Sequence, residues 1–173
     1  MRLPAFITDQ LYDRVWSTVR ARPSDVDIGR DDCGRPYMQR WHAIPRNRYF
    51  NVYLHVYYHD DDRILHSHPW WSLSVCVSGA LREFYTRTSE GANRPETHEV
   101  RWVRRGDLVW RNADMFHRLE VQAGRTITIF ITGPKFKTWY FACKHGLMPW
   151  TDFVSTGRSG QGCGEDDSYP TNH

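Results

Sequence analysis

The sequence predicts an all-β fold, a jelly-roll barrel with one helix packed against its outside. Two observations carry this. From Tyr37 to Cys143 the chain runs in short stretches of alternating, β-branched and aromatic residues, broken at regular spacing by turn residues. Before them, only Thr8 to Arg22 repeats its apolar residues at helical spacing.

In that helix Leu11, Val15, Trp16 and Val19 make the apolar stripe, Thr8 is the expected N-cap, and Pro23 marks the stop. Residues 23–36, rich in Asp, Gly and Arg, read as a loop. Strands are expected over Tyr37–Ile44 and Tyr49–Tyr58. In the second, Val52, Leu54, Val56 and Tyr58 alternate with Tyr53, His55 and Tyr57. After the polar stretch His59–Arg63 come strands over Trp70–Val77 and Ala80–Thr88, joined at Ser78-Gly79. Ser89–Glu96 reads as a flexible loop. Further strands follow over Thr97–Arg104, Leu108–Arg111, His117–Val121, Thr126–Thr132 and Lys137–Cys143. The division is therefore 1–36 helix and loop, 37–155 barrel, and 156–173 a Gly- and Ser-rich tail expected to add little to the core.

Composition narrows the function. The 173 residues suit one domain. A net charge of +3, with both signs interspersed, is not a nucleic-acid footprint. No apolar run reaches membrane-spanning length, and MRLPAFITDQ lacks the apolar core of a secretory signal. Four cysteines stand far apart with no CxxC pair, so reduced thiols and a cytoplasmic location are expected.

The chemistry centres on His66 and His68. Two residues apart in an extended chain, their rings point to the same side. They offer half of a metal site, and His117 is the best candidate for a third ligand. Cys143, His145 and Cys163 fit no standard zinc spacing.

This arrangement resembles the cupin superfamily. Its first motif is G(x)5HxH(x)3-4E(x)6G, and here His66, Ser67 and His68 match HxH while Gly79 matches the closing Gly. Its second is G(x)5PxG(x)2H(x)3N, which Gly106 opens and in which His117 takes the His position. The chain departs from the pattern elsewhere. Ser72 or Leu73 replaces the Glu, Asn112 and Asp114 replace Pro and Gly, and Val121 stands at the Asn position. What remains is a three-histidine face, similar to that of thiol dioxygenases and other three-His oxygenases. The stretch Tyr53–His68, with LHSHPWW, is also similar to a group of uncharacterised cupins from bacteria and phages.

The resemblance implies a divalent metal on His66, His68 and His117. Iron(II) comes first, with zinc, nickel or manganese as alternatives. It implies a dioxygenase-like enzyme acting on a small anionic substrate, because three neutral ligands leave the ion its full charge. The alternatives are an isomerase or hydrolase using the ion as a Lewis acid, and a non-catalytic cupin binding a small molecule or a protein. Since cupins often dimerise through strands, a homodimer is expected by analogy.

Trp70 and Ser72 follow His68 at strand spacing and are candidates to touch substrate. Thr128 belongs to the semi-polar face Thr126, Thr128, Phe130 and Thr132; Tyr53 and His55 belong to another. Either face can point inward. Arg82, with Arg40, Arg46, Arg48 and Arg111, is a candidate to hold a carboxylate or phosphate. Asp60, Asp61 and Asp62 read as a solvated turn.

Overall fold

The computed structural model describes residues 1–30, 34–122, 124–155 and 163. Its elements are α1 (Ala5–Ala21), β1 (Val26–Arg30), β2 (Pro36–His42), β3 (Asn51–Tyr57), β4 (Ser72–Ser78), β5 (Ala80–Thr86) and the short α2 (Ser89–Ala92). After one 3-10 turn come β6 (Glu99–Arg104), β7 (Leu108–Arg111), β8 (Phe116–Val121), β9 (Thr126–Thr132), β10 (Tyr140–Cys143), β11 (Gly146–Pro149) and α3 (Trp150–Ser155). Among the described residues no helix is long and apolar enough to cross a membrane.

Six strands form one sheet in the order β1-β2-β3-β9-β4-β7, and three form another in the order β6-β5-β8. The layers face each other without hydrogen bonding into a closed barrel. Met38, Tyr57 and Cys76 of the large sheet pack against Leu81, Val103 and Leu119 of the small one. The chain passes between layers at Gly79, with φ of 79°. A Cβ there would stand 2.6 Å from the Arg125 carbonyl oxygen, so only glycine makes this turn without displacing backbone.

The helix decides which sheet face is the interior. Val15, with Leu11, Trp16 and Val19 beside it, packs on Trp41, Leu54, Val56, Val75, Val77 and Ile127. That uses the purely apolar face of the large sheet. The polar rows therefore turn inward together. Strand pairing aligns Arg40, His55, Thr128 and Cys76 in one row. The next holds His42, Tyr53, Phe130 and Ser74; the next, Asn51, Thr132, Ser72 and Arg111. Tyr53, His55 and Thr128 lie on one inward face, because neighbours in register share a face.

Several sequence expectations are corrected. Thr8 lies inside α1, donating its hydroxyl to the Pro4 carbonyl at 3.1 Å, and Pro4 holds the cap position. The stretch read as a loop contains β1, which pairs with β2. The Ser89–Glu96 loop is partly helical. Cys76 is a free thiol as expected, but Cys143 and Cys163 form a disulfide. Cys163 is buried with Ile64, Phe141 and Phe153, so at this point the tail joins the core. The rest of residues 156–173 lies outside the described residues.

Candidate metal centre

His66 and His68 do not sit in a regular strand, since β4 starts only at Ser72. They lie in an extended connection pinned at His66 from both sides. Its N–H donates to the His117 carbonyl at 3.0 Å and its carbonyl accepts from the His117 N–H at 2.9 Å. A further bridge joins His66 to Phe141 of β10. Alternation then brings His68 to the same side, and β8 supplies His117 opposite. The ring centroids form a nearly equilateral triangle with sides of 5.1, 5.2 and 5.1 Å.

One ligand nitrogen from each of the three lies within 4.8 Å of the others. Nε2 of His68 and Nε2 of His117 face each other at 2.9 Å. Two lone pairs so aimed are compatible only with a proton or a cation between them. Two ligands at right angles on one ion, with bonds of about 2.1 Å, stand about 3 Å apart. The donor set fits a divalent ion on the residues present.

The outer nitrogens are backed by carboxylates. Nδ1 of His117 lies 2.8 Å from Glu83 Oε1, and Nδ1 of His66 lies 3.6 Å from Asp61 Oδ2. At 2.8 Å a carboxylate behind an imidazole keeps the proton on the near nitrogen and turns the other lone pair outward; at 3.6 Å Asp61 acts on His66 through its charge and not through a hydrogen bond. Glu83 is fully buried, and Arg111 clamps it through Nε to Oε1 at 2.6 Å and Nη2 to Oε2 at 3.0 Å. Arg101 adds a third donor at 2.7 Å, and Arg111 also reaches Ser74 Oγ at 2.7 Å. Burial alone would raise the Glu83 carboxyl; Arg111 and His117 outweigh it and hold Glu83 well below the usual carboxylate range.

The imidazoles resist protonation. Burial, opposed by Glu83, brings His117 down to about 4. Burial, with His117 and His66 alongside, puts His68 well below its ordinary value. Asp61 is not the solvated turn residue expected: burial raises its carboxyl against the pull of His66. Its neighbours serve the backbone, Asp60 accepting from the Val121 N–H at 2.7 Å and Asp62 from the Ile64 N–H at 3.0 Å.

The other predicted site residues divide. Trp70 stacks on His68 at 6.3 Å between centroids, and Ser72 is buried in the row with Thr132. Trp70 Nε1 and the hydroxyls of Ser72 and Thr132 have no hydrogen-bond partner among the described residues. Buried polar groups left so are costly unless something else meets them. Tyr53, His55 and Thr128 lie deeper, with Phe130 between His55 (5.0 Å) and His68 (6.2 Å). Arg82 is not brought to the cluster. It lies on the outer face of β5, paired with Glu120 at 2.6 Å and lying over Phe84. Cys143, held in the disulfide, is unavailable as a ligand beside His145.

Sequence reading missed Glu83, Arg111's part as its clamp, and Trp139. The Trp139 ring stacks on His68 at 5.6 Å and also meets His66 at 6.1 Å. The one signal for Glu83 is its place at an inward position of β5, two residues from Leu81.

No family model matches the chain, and no curated protein matches it. Solved structures do resemble it. One is the DMSP lyase DddQ from Ruegeria pomeroyi DSS-3, at 14% identity and TM-score 0.48, over 67% of this chain and 54% of that one. Another is Fe(II) HppE in complex with substrate, at 11% identity and TM-score 0.49, over 62% and 54%. A third is an RmlC-like cupin with a double-stranded β-helix fold from Methanocaldococcus jannaschii, at 8% identity and TM-score 0.44, over 66% and 94%. The chain spans about half the length of the first two. At these levels of identity their reactions are not carried over to this chain. By its own two facing sheets and the histidine triangle between them, the chain has a cupin-like fold.

Proposed function

We propose that this chain is a metal-dependent enzyme, with iron(II) on His66, His68 and His117, acting oxidatively on a small anionic substrate. The observation that carries the reading is the 2.9 Å approach of the His68 and His117 ring nitrogens, with a buried carboxylate behind the His117 ring. Such an ion supplies a positive centre with open positions for substrate and dioxygen. The chain's own residues do the rest. Glu83 holds the His117 ring, Trp70 and Trp139 shield the face of His68 from water, and the unmatched groups of Trp70, Ser72 and Thr132 are there to meet substrate oxygens.

The Cys143–Cys163 disulfide suits an oxidising compartment, which weighs against the cytoplasmic location expected from the sequence. The homodimer remains an inference by analogy.

The experiment is metal analysis of untagged protein, followed by oxygen uptake with candidate acids. Iron with oxygen consumption supports the proposal. Zinc or nickel without oxygen consumption would replace it with Lewis-acid chemistry. A folded wild-type protein that takes up no divalent ion would overturn it in favour of a binding module.

A further inference from the structure

The Cys143–Cys163 bond closes a stretch of chain that holds β11 and α3, and this stretch backs two of the three histidines. Strands β10 and β11 make a two-stranded sheet of their own, and such a ribbon needs packing to persist. β10 lies directly against the segment that carries the ligands. The Ala142 N–H donates to the Leu65 carbonyl at 2.9 Å, and the Ser67 N–H donates to the Tyr140 carbonyl at 2.9 Å. His66, between them, bridges to Phe141. Rings also link α3 to the imidazoles. Phe153 stacks on Phe141 at 3.6 Å, and Phe141 meets His66 at 5.3 Å. Trp150 meets Trp139 at 5.6 Å, and Trp139 stacks on His68 at 5.6 Å.

α3 cannot keep these rings in place by itself. It has six residues, well short of the length at which an isolated helix persists. It is held by burial of Phe153 in a cluster that the cross-linked Cys143 and Cys163 complete. The need for such support is greatest at His68. Glu83 backs His117, and the charge of Asp61 faces His66. Nδ1 of His68 is buried with no hydrogen-bond partner among the described residues, so ring packing is what orients it. With the bond open, Cys163 is no longer tied to β10, and the rings behind His66 and His68 lose that support. Cys76 takes no part, since it packs with Leu81 and Val103 in another cluster.

We propose that the Cys143–Cys163 bond is a redox control on the metal centre: the oxidised protein holds the divalent ion, and the dithiol form holds it more weakly. This rests on the metal-centre reading above and adds its regulation. Closing the bond passes two electrons and two protons from the two thiols to a disulfide donor, which leaves as two thiols. Reduction by a dithiol runs the same exchange backwards. Both cysteines are buried, so exchange in either direction needs local opening of their cluster. The coupling is reciprocal. A bound ion makes the bond harder to reduce by the same factor by which the bond tightens the ion. The centre therefore loads in the compartment where the bond forms.

The test titrates full-length protein with cobalt(II) in three forms: oxidised wild type, wild type reduced by a phosphine and freed of it without air, and the double variant Cys143→Ser, Cys163→Ser. Circular dichroism checks that each is folded at the temperature used. Affinity is expected to fall by about tenfold or more in both bond-free forms. It should return when the reduced wild type is reoxidised with oxidised glutathione, and be unchanged in Cys76→Ser. The double variant removes any ligation by freed thiols. Cobalt-loaded wild type is expected to resist reduction by dithiothreitol by the same factor. A bond that only staples the fold would lower the melting temperature of the bond-free forms and leave their affinity at the wild-type value, and that result overturns the proposal. Should no bond-free form stay folded, Trp150→Leu decides with the bond intact. It is expected to bind cobalt(II) more weakly, and wild-type affinity there overturns the proposal. Failure of the metal reading looks different: the oxidised wild type itself takes up no cobalt(II), which overturns both.

Discussion

His117 Nδ1 and Glu83 Oε1 lie 2.8 Å apart, and the same Glu83 oxygen accepts from Arg111 Nε at 2.6 Å. One buried carboxylate thus serves a metal-facing imidazole and an arginine from the opposite sheet. Losing it affects two things that can be measured separately. Glu83→Gln should lower metal affinity by roughly 10–100-fold while the protein still folds. Glu83→Ala leaves Arg111 buried and unpaired and should also cost about 3–5 kcal/mol of stability. Metal titration and chemical unfolding of both variants check this. Equal metal affinity in the wild type and Glu83→Gln would show that the carboxylate orients nothing.

Ser72 gives the opposite expectation. Its hydroxyl is buried without a hydrogen-bond partner among the described residues. Removing such a group is neutral or slightly stabilising, within about 1 kcal/mol. Ser72→Ala should keep its metal, hold or raise its melting temperature, and bind the acid more weakly. Loss of the ion as complete as in His117→Ala would mean that Ser72 is a ligand and the three-histidine set is incomplete.

Stability of the metal-free protein should depend on pH in a set direction. His117 titrates at about 4 in the fold against 6.5 as its ordinary value. His68 is lowered too, first by burial. Between those values the unfolded chain binds more protons than the folded one. The contribution is therefore complete above 6.5 and is lost as pH falls toward 4. Unfolding of chelator-treated protein across that window reads it, and His117→Gln should flatten the profile. A wild-type profile already flat there contradicts the burial argument.

The Cys143–Cys163 bond spans 20 residues of sequence, and closing a loop of that size stabilises by roughly 3 kcal/mol in the chain-entropy picture. Cutting the chain after residue 155 also removes a side chain buried beside Phe141 and Phe153, whose rings stack at 3.6 Å. Truncation, or Cys163→Ser, should lower the melting temperature by several degrees. A melting temperature unchanged in both would return the tail to the passive status its composition suggests.

Much of this was legible in the sequence, for reasons the structure makes plain. Alternation in Thr126–Thr132 separated an isoleucine face from a threonine face, but not inside from outside. The helix settles that, since its stripe of Leu11, Val15 and Val19 needs the apolar side. Spacing brought out His66, His68 and His117 because motif positions are local. Glu83 stayed hidden because it looks like any polar residue of an alternating strand. Its role depends on the register that sets β5 beside β8 and on Arg111 reaching across from the other sheet. The strand β1 was missed for a related reason: VDIGR has little apolar content and becomes a strand by pairing with β2.

The clasp between Glu83 and Arg111 also sets where the molecule can breathe. It ties β5 of one layer to β7 of the other, and parting the layers there means separating two buried charges, which is strongly unfavourable. At the His68 end the closure is made by the rings of Trp70 and Trp139, with the Phe136 N–H donated to the Pro69 carbonyl at 3.0 Å and no buried ion pair among the described residues of that stretch. Slow openings should be polarised, with amide hydrogens exchanging early near residues 68–71 and 137–139 and late along β5. Traffic into the interior would then run through one door, with the hinge side locked by a salt bridge.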